Sequence, residues 1–82
     1  MNLADWRKSE KLSCEELARR LGITVSRGGT NVWNWESGRT RADADVIDRI
    51  EKLTGGHVTP LDMHRTRLSW LRRNKSVSGE AA

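Results

Sequence analysis

The feature that most constrains the fold is a complete set of helix-start signals at residues 12–17. Ser13 can accept a hydrogen bond from the backbone N–H of Glu16, and the Glu16 side chain can reach back to the backbone of Ser13. This reciprocal arrangement is a capping box, and Leu12 and Leu17 have the spacing of the hydrophobic staple that accompanies it. A helix is therefore predicted to begin at this point of the chain.

The helix that begins there carries an apolar stripe as far as Leu21 and should end at Gly22, which readily adopts a left-handed backbone. After a turn, a second helix is predicted from Thr30 to Ser37, closed by Gly38. Two short helices joined in this way, at about residues 13–37, have the plan of a helix-turn-helix. The residues predicted to face inward from the second helix are Val32, Trp35 and Glu36.

The outward face of the second helix offers hydroxyl, amide and aromatic groups but no pair of carboxylates. Such a face suits the edges of DNA bases better than it suits catalysis. Asn34 is the best base-reading candidate, because a carboxamide can pair bidentately with adenine; the alternative is an ordinary solvent-exposed residue. Trp33 could contact DNA or close the edge of the core. The candidate base-contacting residues are Thr30, Asn31, Trp33, Asn34 and Arg27.

Positive charge is unevenly distributed along the chain, whose net charge is +4. Residues 19–41 hold five arginines and one glutamate, and residues 65–82 hold five basic and one acidic side chain, whereas residues 42–64 hold two basic and five acidic ones. This is the footprint of a phosphate-binding surface, although exposed arginines can also serve only solubility. The candidate phosphate-contacting residues are Ser13, Arg39, Thr40 and Arg41.

Residues 12–41 resemble the helix-turn-helix of the XRE family, which includes phage Cro and lambda-type repressors. The matching letters are LSxEELARRLGIT and TxVxxWESGRTR, and residues 54–62 resemble the tail of small Cro-like proteins. The resemblance extends over roughly residues 1–64. It implies an all-α, compact four- to five-helix bundle of the lambda-repressor-like DNA-binding type. It also implies a transcriptional regulator of a bacterial prophage or mobile element that binds double-stranded DNA, either as a homodimer or by dimerising on the DNA.

The sequence departs from that family pattern at two places. The connection between Gly22 and Trp35 is longer, with an insertion near residues 25–29, and Cys14 replaces a polar residue that helps to anchor a phosphate. The inserted turn is interpreted either as a flexible finger that brings Arg27 to DNA or as a tolerated surface loop, since added loop length costs little. Cys14 is predicted to be a half-buried packing residue.

Two further helices are predicted on either side of this unit. In the first, Asn2 is the cap, the helix runs to about Ser9, and Arg7 lies on the outer side. In the other, Asp43 is the cap and Gly55-Gly56 is the stop. The residues predicted to be buried are Leu3 and Trp6 in the first helix and Val46, Ile47, Ile50 and Leu53 in the other.

The last helix is predicted to start at Thr59 and Pro60 and to continue to about Arg73. The predicted organisation is a DNA-binding domain over 1–64, a basic amphipathic extension over 65–75 and a disordered tail over 76–82. An apolar stripe on this helix favours self-association over folding back on its own core. The stripe comprises Leu61, His64, Leu68 and Leu71, and the dimerisation candidates are Leu68, Trp70 and Leu71.

No catalytic or metal-binding pattern is present, and neither an enzyme nor a cofactor is expected. Cys14, His57 and His64 do not have the spacing of metal ligands. Without a signal peptide or an apolar run of membrane length, a cytoplasmic protein is expected, associated with the nucleoid through DNA.

The sequence thus predicts a sequence-specific double-stranded DNA-binding regulator, a repressor that binds a palindromic operator as a dimer through the helix at about 30–37. One alternative is an antitoxin-like module that binds a protein partner. The other is an architectural or excision factor that bends DNA.

Overall fold

A computed structural model describes residues 1–23 and 27–75, in which the chain forms helices and no strand. The helices are α1 (Leu3–Ser9), α2 (Cys14–Arg20), α3 (Gly28–Ser37), α4 (Ala44–Leu53) and α5 (Pro60–Lys75). The predicted all-α bundle is confirmed. Within the described part, no helix is long and apolar enough to cross a membrane. The predicted tail at 76–82 and residues 24–26 of the inserted turn lie outside the described residues.

The core lies where the helices each contribute at least one apolar side chain. Its fully buried residues come from α1, α2, α3, α4 and the segment before α5, and Met63 adds the contribution of α5 itself. Trp6 is buried as predicted, and Trp35 packs against the core while remaining half-buried. The fully buried side chains are Leu3, Leu17, Val32, Ile50 and Val58.

Local capping signals place the starts of α1, α2 and α5. The predicted capping box of α2 is confirmed: the Glu16 amide donates to Ser13 Oγ at 3.1 Å, and the Ser13 amide donates to Glu16 Oε1 at 2.8 Å. At α5 the Asp62 amide donates to Thr59 Oγ1 at 3.1 Å, and the Thr59 amide donates to Asp62 Oδ2 at 2.9 Å. Asn2 caps α1 as predicted.

The predicted start of the second helix of the motif is wrong. α3 begins at Gly28, two residues before the predicted Thr30, so that Gly28 and Gly29 form its first turn. Both glycines are buried, and neither has a positive φ. Both interpretations of the inserted turn, the flexible finger and the surface loop, therefore fail for the Gly28-Gly29 pair, which is part of a helix packed against its neighbours.

Two side chains are placed differently from the prediction. Arg7 does not lie on the outer side: it is half-buried, forms an ion pair with Glu36 of α3 and donates to the carbonyl of Leu12 at 2.8 Å. Glu36 faces inward on α3 as predicted, and its carboxylate attracts the Arg7 guanidinium into the interior. Leu53 is exposed, because the buried side of α4 runs from Ile50 to Thr54 and Leu53 lies beside it.

The last helix is continuous across the predicted boundary at residue 64. α5 packs against α3 and α4, and its contacts with α3 come from its middle, at Thr66 and Trp70. Residues on both sides of position 64 therefore belong to one helix that rests on the bundle.

Candidate nucleic-acid interface

The two helices of the motif approach each other closely because the first turn of α3 lacks side chains. A Cβ at Gly28 would lie 2.9 Å from Ala18 Cβ, and a Cβ at Gly29 would lie 2.9 Å from Glu15 Cγ. Both distances are shorter than real Cβ contacts. A side chain at Gly28 would require α2 and α3 to separate, and one at Gly29 would require the exposed Glu15 side chain to turn away. The small Ala18, predicted to lie where a second helix crosses, is part of this contact.

The outer face of α3 brings three of the predicted base-contacting residues together. Arg27, Thr30 and Asn34 follow one another at helical spacing and lie along one line of the helix. Arg27 and Thr30 are exposed, and Asn34 is half-buried. This line is on the opposite side of α3 from Val32, which is fully buried. It presents a guanidinium, a hydroxyl and a carboxamide to the surroundings.

The other two base candidates flank that line. Trp33 leaves 55% of its surface exposed, so it does not close the edge of the core. Asn31 is half-buried on the other flank. An exposed indole beside polar groups can contact a sugar or a thymine methyl, and it adds apolar area to an otherwise polar face.

The segment that follows α3 carries the predicted phosphate-contacting residues Arg39, Thr40 and Arg41, all of which are exposed. α3 ends at Gly38, whose φ is +87°, and the backbone then folds back on the helix end. The amides of Arg39 and Thr40 both point to the carbonyl oxygen of Asn34, at 3.0 and 3.5 Å. The position of the segment is thus tied to the residue expected to read bases.

Ser13 is exposed at the start of α2, but its hydroxyl already accepts the amide of Glu16. The hydroxyl can still donate a hydrogen bond, so a phosphate contact is compatible with its capping role. The hydrogen bonds from Ser13 hold the pKa of Glu16 below its ordinary value, with the backbone bond as the largest cause.

Arg67 is a residue of this region that the sequence marked only as one basic side chain among several. Its Nη1 donates to the carbonyl oxygens of Gly38, at 2.8 Å, and of Arg39, at 2.6 Å. Cations commonly satisfy the last carbonyls of a helix, and Gly38 marked such an end in the sequence. Which basic side chain binds these carbonyls depends on how α5 packs against α3, and no local sequence pattern identifies Arg67.

The exposed charges of the described residues separate by region. Arg19 and Arg20 end α2, and together with Arg27, Arg39 and Arg41 they outnumber the exposed carboxylates Glu15 and Glu16 of α2, so the α2–α3 side is net basic. The exposed side of α4 carries two ion pairs along the helix. These pairs are Asp45 with Arg49 at 3.8 Å and Asp48 with Lys52 at 2.9 Å. An anionic polymer would therefore be attracted to the α2–α3 side.

Cys14 is half-buried against the core, which confirms the packing prediction. Burial is the largest cause that raises the pKa of its thiol, and the Glu36 carboxylate raises it further while Arg7 lowers it. A thiol with a raised pKa is a poor nucleophile at neutral pH. Among the residues that the structure describes, no three His, Cys, Asp or Glu side chains form a group that could hold a metal ion.

The dimerisation candidates do not share one side of α5. Trp70 is half-buried and faces the end of α3, whereas Leu71 is 39% exposed and Leu68 is half-buried. Leu61, at the start of the same outer stripe, is 52% exposed. The structure therefore separates Trp70, which packs within the chain, from an outer stripe of leucines.

A comparison with protein families finds one model, described as "Bacterial toxin YdaS", that matches residues 13–66. The match begins at the cap of α2 and ends within α5, so it includes the close α2–α3 contact and the exposed face of α3. Neither the curated proteins nor the solved structures provide a match.

Proposed function

Because the chain belongs to the family described as bacterial toxin YdaS, a family of small helical proteins of prophage type, we propose that it is a sequence-specific DNA-binding regulator. In this proposal α3 enters the major groove of double-stranded DNA. The narrower assignment to the XRE family is part of the proposal, and it rests on the residues of α2 and α3 that resemble that family.

The observation that carries the proposal is the outer face of α3 with the basic segment beside it. Arg27, Thr30 and Asn34 are aligned on a helix whose two ends are held by α2 and α5. Arginine and asparagine side chains can pair bidentately with guanine and adenine in the major groove. Arg39 and Arg41 follow directly, where phosphate contacts would fix the register of the helix on the duplex.

The mechanism follows from the size of the reading unit. One α3 contacts only a few base pairs, so a homodimer on a palindrome would double the recognised sequence. The two copies of α3 would then lie in successive major grooves, about 34 Å apart. A dimer bound across a promoter would exclude the polymerase and act as a repressor.

Selection of bound duplexes from a random DNA pool tests the proposal directly. An inverted repeat with half-sites about one helical turn apart is expected. Asn34→Ala should then cost about 1–3 kcal/mol of binding free energy and relax the preference at one base pair. Asn74→Ala, which removes an exposed amide from α5, is the matched control and should change neither quantity. Unchanged affinity and preference in Asn34→Ala would show that α3 does not read the bases.

A second candidate function is binding to a protein partner, with the chain acting as a toxin or an antitoxin-like module. The description of the family names a toxin, and the outer stripe of α5 exposes Leu61 and Leu71 beside Leu68. Induced expression in a bacterial host distinguishes the two functions. Growth inhibition that survives Asn34→Ala but is lost in Leu61→Gln and Leu71→Gln would favour the protein partner. The opposite pattern would favour DNA.

A further inference from the structure

One side chain of α5, Arg67, forms hydrogen bonds with the backbone of the basic segment that follows α3, residues 38–41. Arg67 Nη1 donates to the carbonyl oxygens of both Gly38 and Arg39. These oxygens stand at the C-terminal end of α3, where the helix dipole is negative and a guanidinium is favourable. The bonds of Arg67 thus join the middle of α5 to the first residues of the basic segment.

The packing around Gly38 makes this junction close. A Cβ at Gly38 would lie 2.5 Å from the carbonyl oxygen of Thr66 and 2.8 Å from Trp70 Cβ. The Arg67 guanidinium lies 5.4 Å from the centre of the Trp70 ring, within the range of a cation–π contact. The contacts of Arg67 and Trp70 leave the backbone after α3 little freedom to move away from α5.

We propose that Arg67 is a positioning residue for DNA binding, which holds residues 38–41 so that Arg39 and Arg41 meet the phosphates beside α3 together. Arg67 itself is half-buried and engaged with two carbonyls, so its effect passes through the segment. A segment ordered in advance does not lose that freedom when DNA binds. The inference rests on the proposed function, because it concerns how the DNA-binding surface is held.

Arg67 and Trp70 also lie just beyond the residues that match the family model, which ends at residue 66. The family match therefore includes the segment that is held but not the side chain that holds it. The positioning role belongs to the part of α5 in which the sequence showed only charge and an apolar stripe.

The test compares Arg67→Met with Arg65→Met in the full chain. Each substitution removes one positive charge from α5, and Arg65 is exposed on the same helix. Affinity for the selected duplex is measured over a range of salt concentrations. The slope of log affinity against log salt is negative, and Arg65→Met should make it shallower by at most about 0.9, the value for one phosphate contact. Arg67→Met should make the slope shallower by about 1.8, since Arg39 and Arg41 would both lose their phosphate contacts.

A double-mutant cycle shows whether Arg67 acts through the segment. In a background that carries Arg39→Met and Arg41→Met, the added effect of Arg67→Met should shrink to that of Arg65→Met. Additive effects would overturn the proposal, because they would mean that Arg67 contacts a phosphate directly. If Arg67→Met does not fold, Arg67→Lys takes its place, since it keeps the charge but is shorter and lacks the planar group over Trp70. It should lose part of the affinity while keeping the net charge.

Amide hydrogen exchange separates failure of this inference from failure of the proposed function. Without DNA, Arg67→Met should accelerate exchange at Arg39 and Thr40, whereas Arg65→Met should not. One outcome is that the wild-type chain binds no DNA while exchange still accelerates in Arg67→Met. The proposed function and the DNA role of Arg67 would then both fail, although Arg67 would be shown to hold residues 38–41. If the wild-type chain binds DNA but Arg67→Met matches Arg65→Met in both measurements, only the positioning role is overturned.

Discussion

The starts of α2 and α3 are built in opposite ways, although the two helices form one motif. α2 begins with reciprocal hydrogen bonds between Ser13 and Glu16, which are three residues apart in the chain. α3 begins at Gly28 after Arg27, whose side chain makes no capping hydrogen bond, and its first two residues are glycines. Glycine is the poorest helix former after proline, so the start of α3 has little local support.

Contacts with α1, α2 and α5 give α3 the support that its own sequence does not provide. Its first turn rests on α2, the Glu36 carboxylate pairs with Arg7 of α1, and Gly38 lies against α5. Three separate elements therefore determine where this helix lies. The comparison indicates that the helix with the candidate DNA-binding face is oriented by the bundle, and not only stabilised by it. A local cap could start a helix, but it could not set the angle at which the outer face is presented.

The largest effect on this arrangement is expected from Glu36→Gln. The Arg7 and Glu36 side chains are only 16% and 7% exposed, so the substitution leaves a largely buried guanidinium without its counter-charge. We expect a loss of about 2–3 kcal/mol in the free energy of unfolding, measured by urea denaturation. The hydrogen bond to Glu36 is the main cause that raises the pKa of Arg7. Without it Arg7 still stays charged, because a guanidinium is not deprotonated in proteins.

The control for Glu36→Gln is Asp48→Asn, which breaks an exposed ion pair on α4. Its expected cost is below about 1 kcal/mol, because solvent screens exposed pairs. Equal effects of the two substitutions would mean that α1 does not hold α3.

Gly28→Ala tests what supports the first turn of α3, because local propensity and close packing predict opposite changes in the free energy of unfolding. If α3 were supported by local propensity, alanine would stabilise it by about 1 kcal/mol. Because the new Cβ would lie 2.9 Å from Ala18 Cβ, we expect a destabilisation of about 1–3 kcal/mol instead. Thermal unfolding measures the change.

A compensating substitution makes the Gly28 test sharper. In an Ala18→Gly background the closest contact disappears and Ile23 Cγ2, at 3.3 Å, becomes the nearest atom, so Gly28→Ala should be clearly less destabilising there. A stabilising effect of Gly28→Ala in the wild-type background would contradict the close α2–α3 contact.

Acid should weaken the locally capped helices before it affects the start of α3. Hydrogen bonds lower the pKa of Asp62, mainly through the Thr59 amide, and the Ser13 amide does the same for Glu16. A carboxylate whose pKa is lowered on folding stabilises the protein above its unfolded pKa of about 4, and this contribution is lost as the pH falls through the folded value. The unfolding midpoint should therefore decline below about pH 4. Asp62→Asn should flatten that decline, and an unaltered pH profile would contradict the capping role.

The smallest effect is expected from adding a cap where α3 has none. Arg27 has φ −116° and ψ 32°, which is not the extended backbone that directs a capping side chain to the next turn. Arg27→Ser should thus change the unfolding free energy by less than about 0.5 kcal/mol. Ser13→Ala, which removes a working cap from α2, should cost about 1 kcal/mol in the same assay. A gain from Arg27→Ser as large as that loss would show that α3 is governed by local signals after all.

Prediction from sequence succeeded where a signal was confined to neighbouring residues. The capping box of α2, the Asn2 and Thr59 caps and the glycine stops are such signals, and Gly22, Gly38, Gly55 and Gly56 all have positive φ. Asp43 precedes α4 as predicted but makes no side-chain capping hydrogen bond. It failed where the answer depended on a distant partner. Nothing near Arg7 in sequence shows Glu36, so Arg7 is predicted to lie on the surface. Gly28-Gly29 is predicted to belong to a flexible finger or a surface loop, because glycine permits both flexible and closely packed backbones.

The same division applies to the candidate site. Helical spacing alone aligns Thr30 and Asn34, since positions four apart share a face of any α-helix. Arg27 joins their line only because α3 begins two residues before the predicted start. The sequence by itself therefore determined the all-α class, the starts of α1, α2, α4 and α5, and the chemical character of the outer face of α3. Only the tertiary structure decided where that face lies and what holds it, because the contacts of α3 with Ala18, Arg7 and Arg67 join residues far apart in the chain.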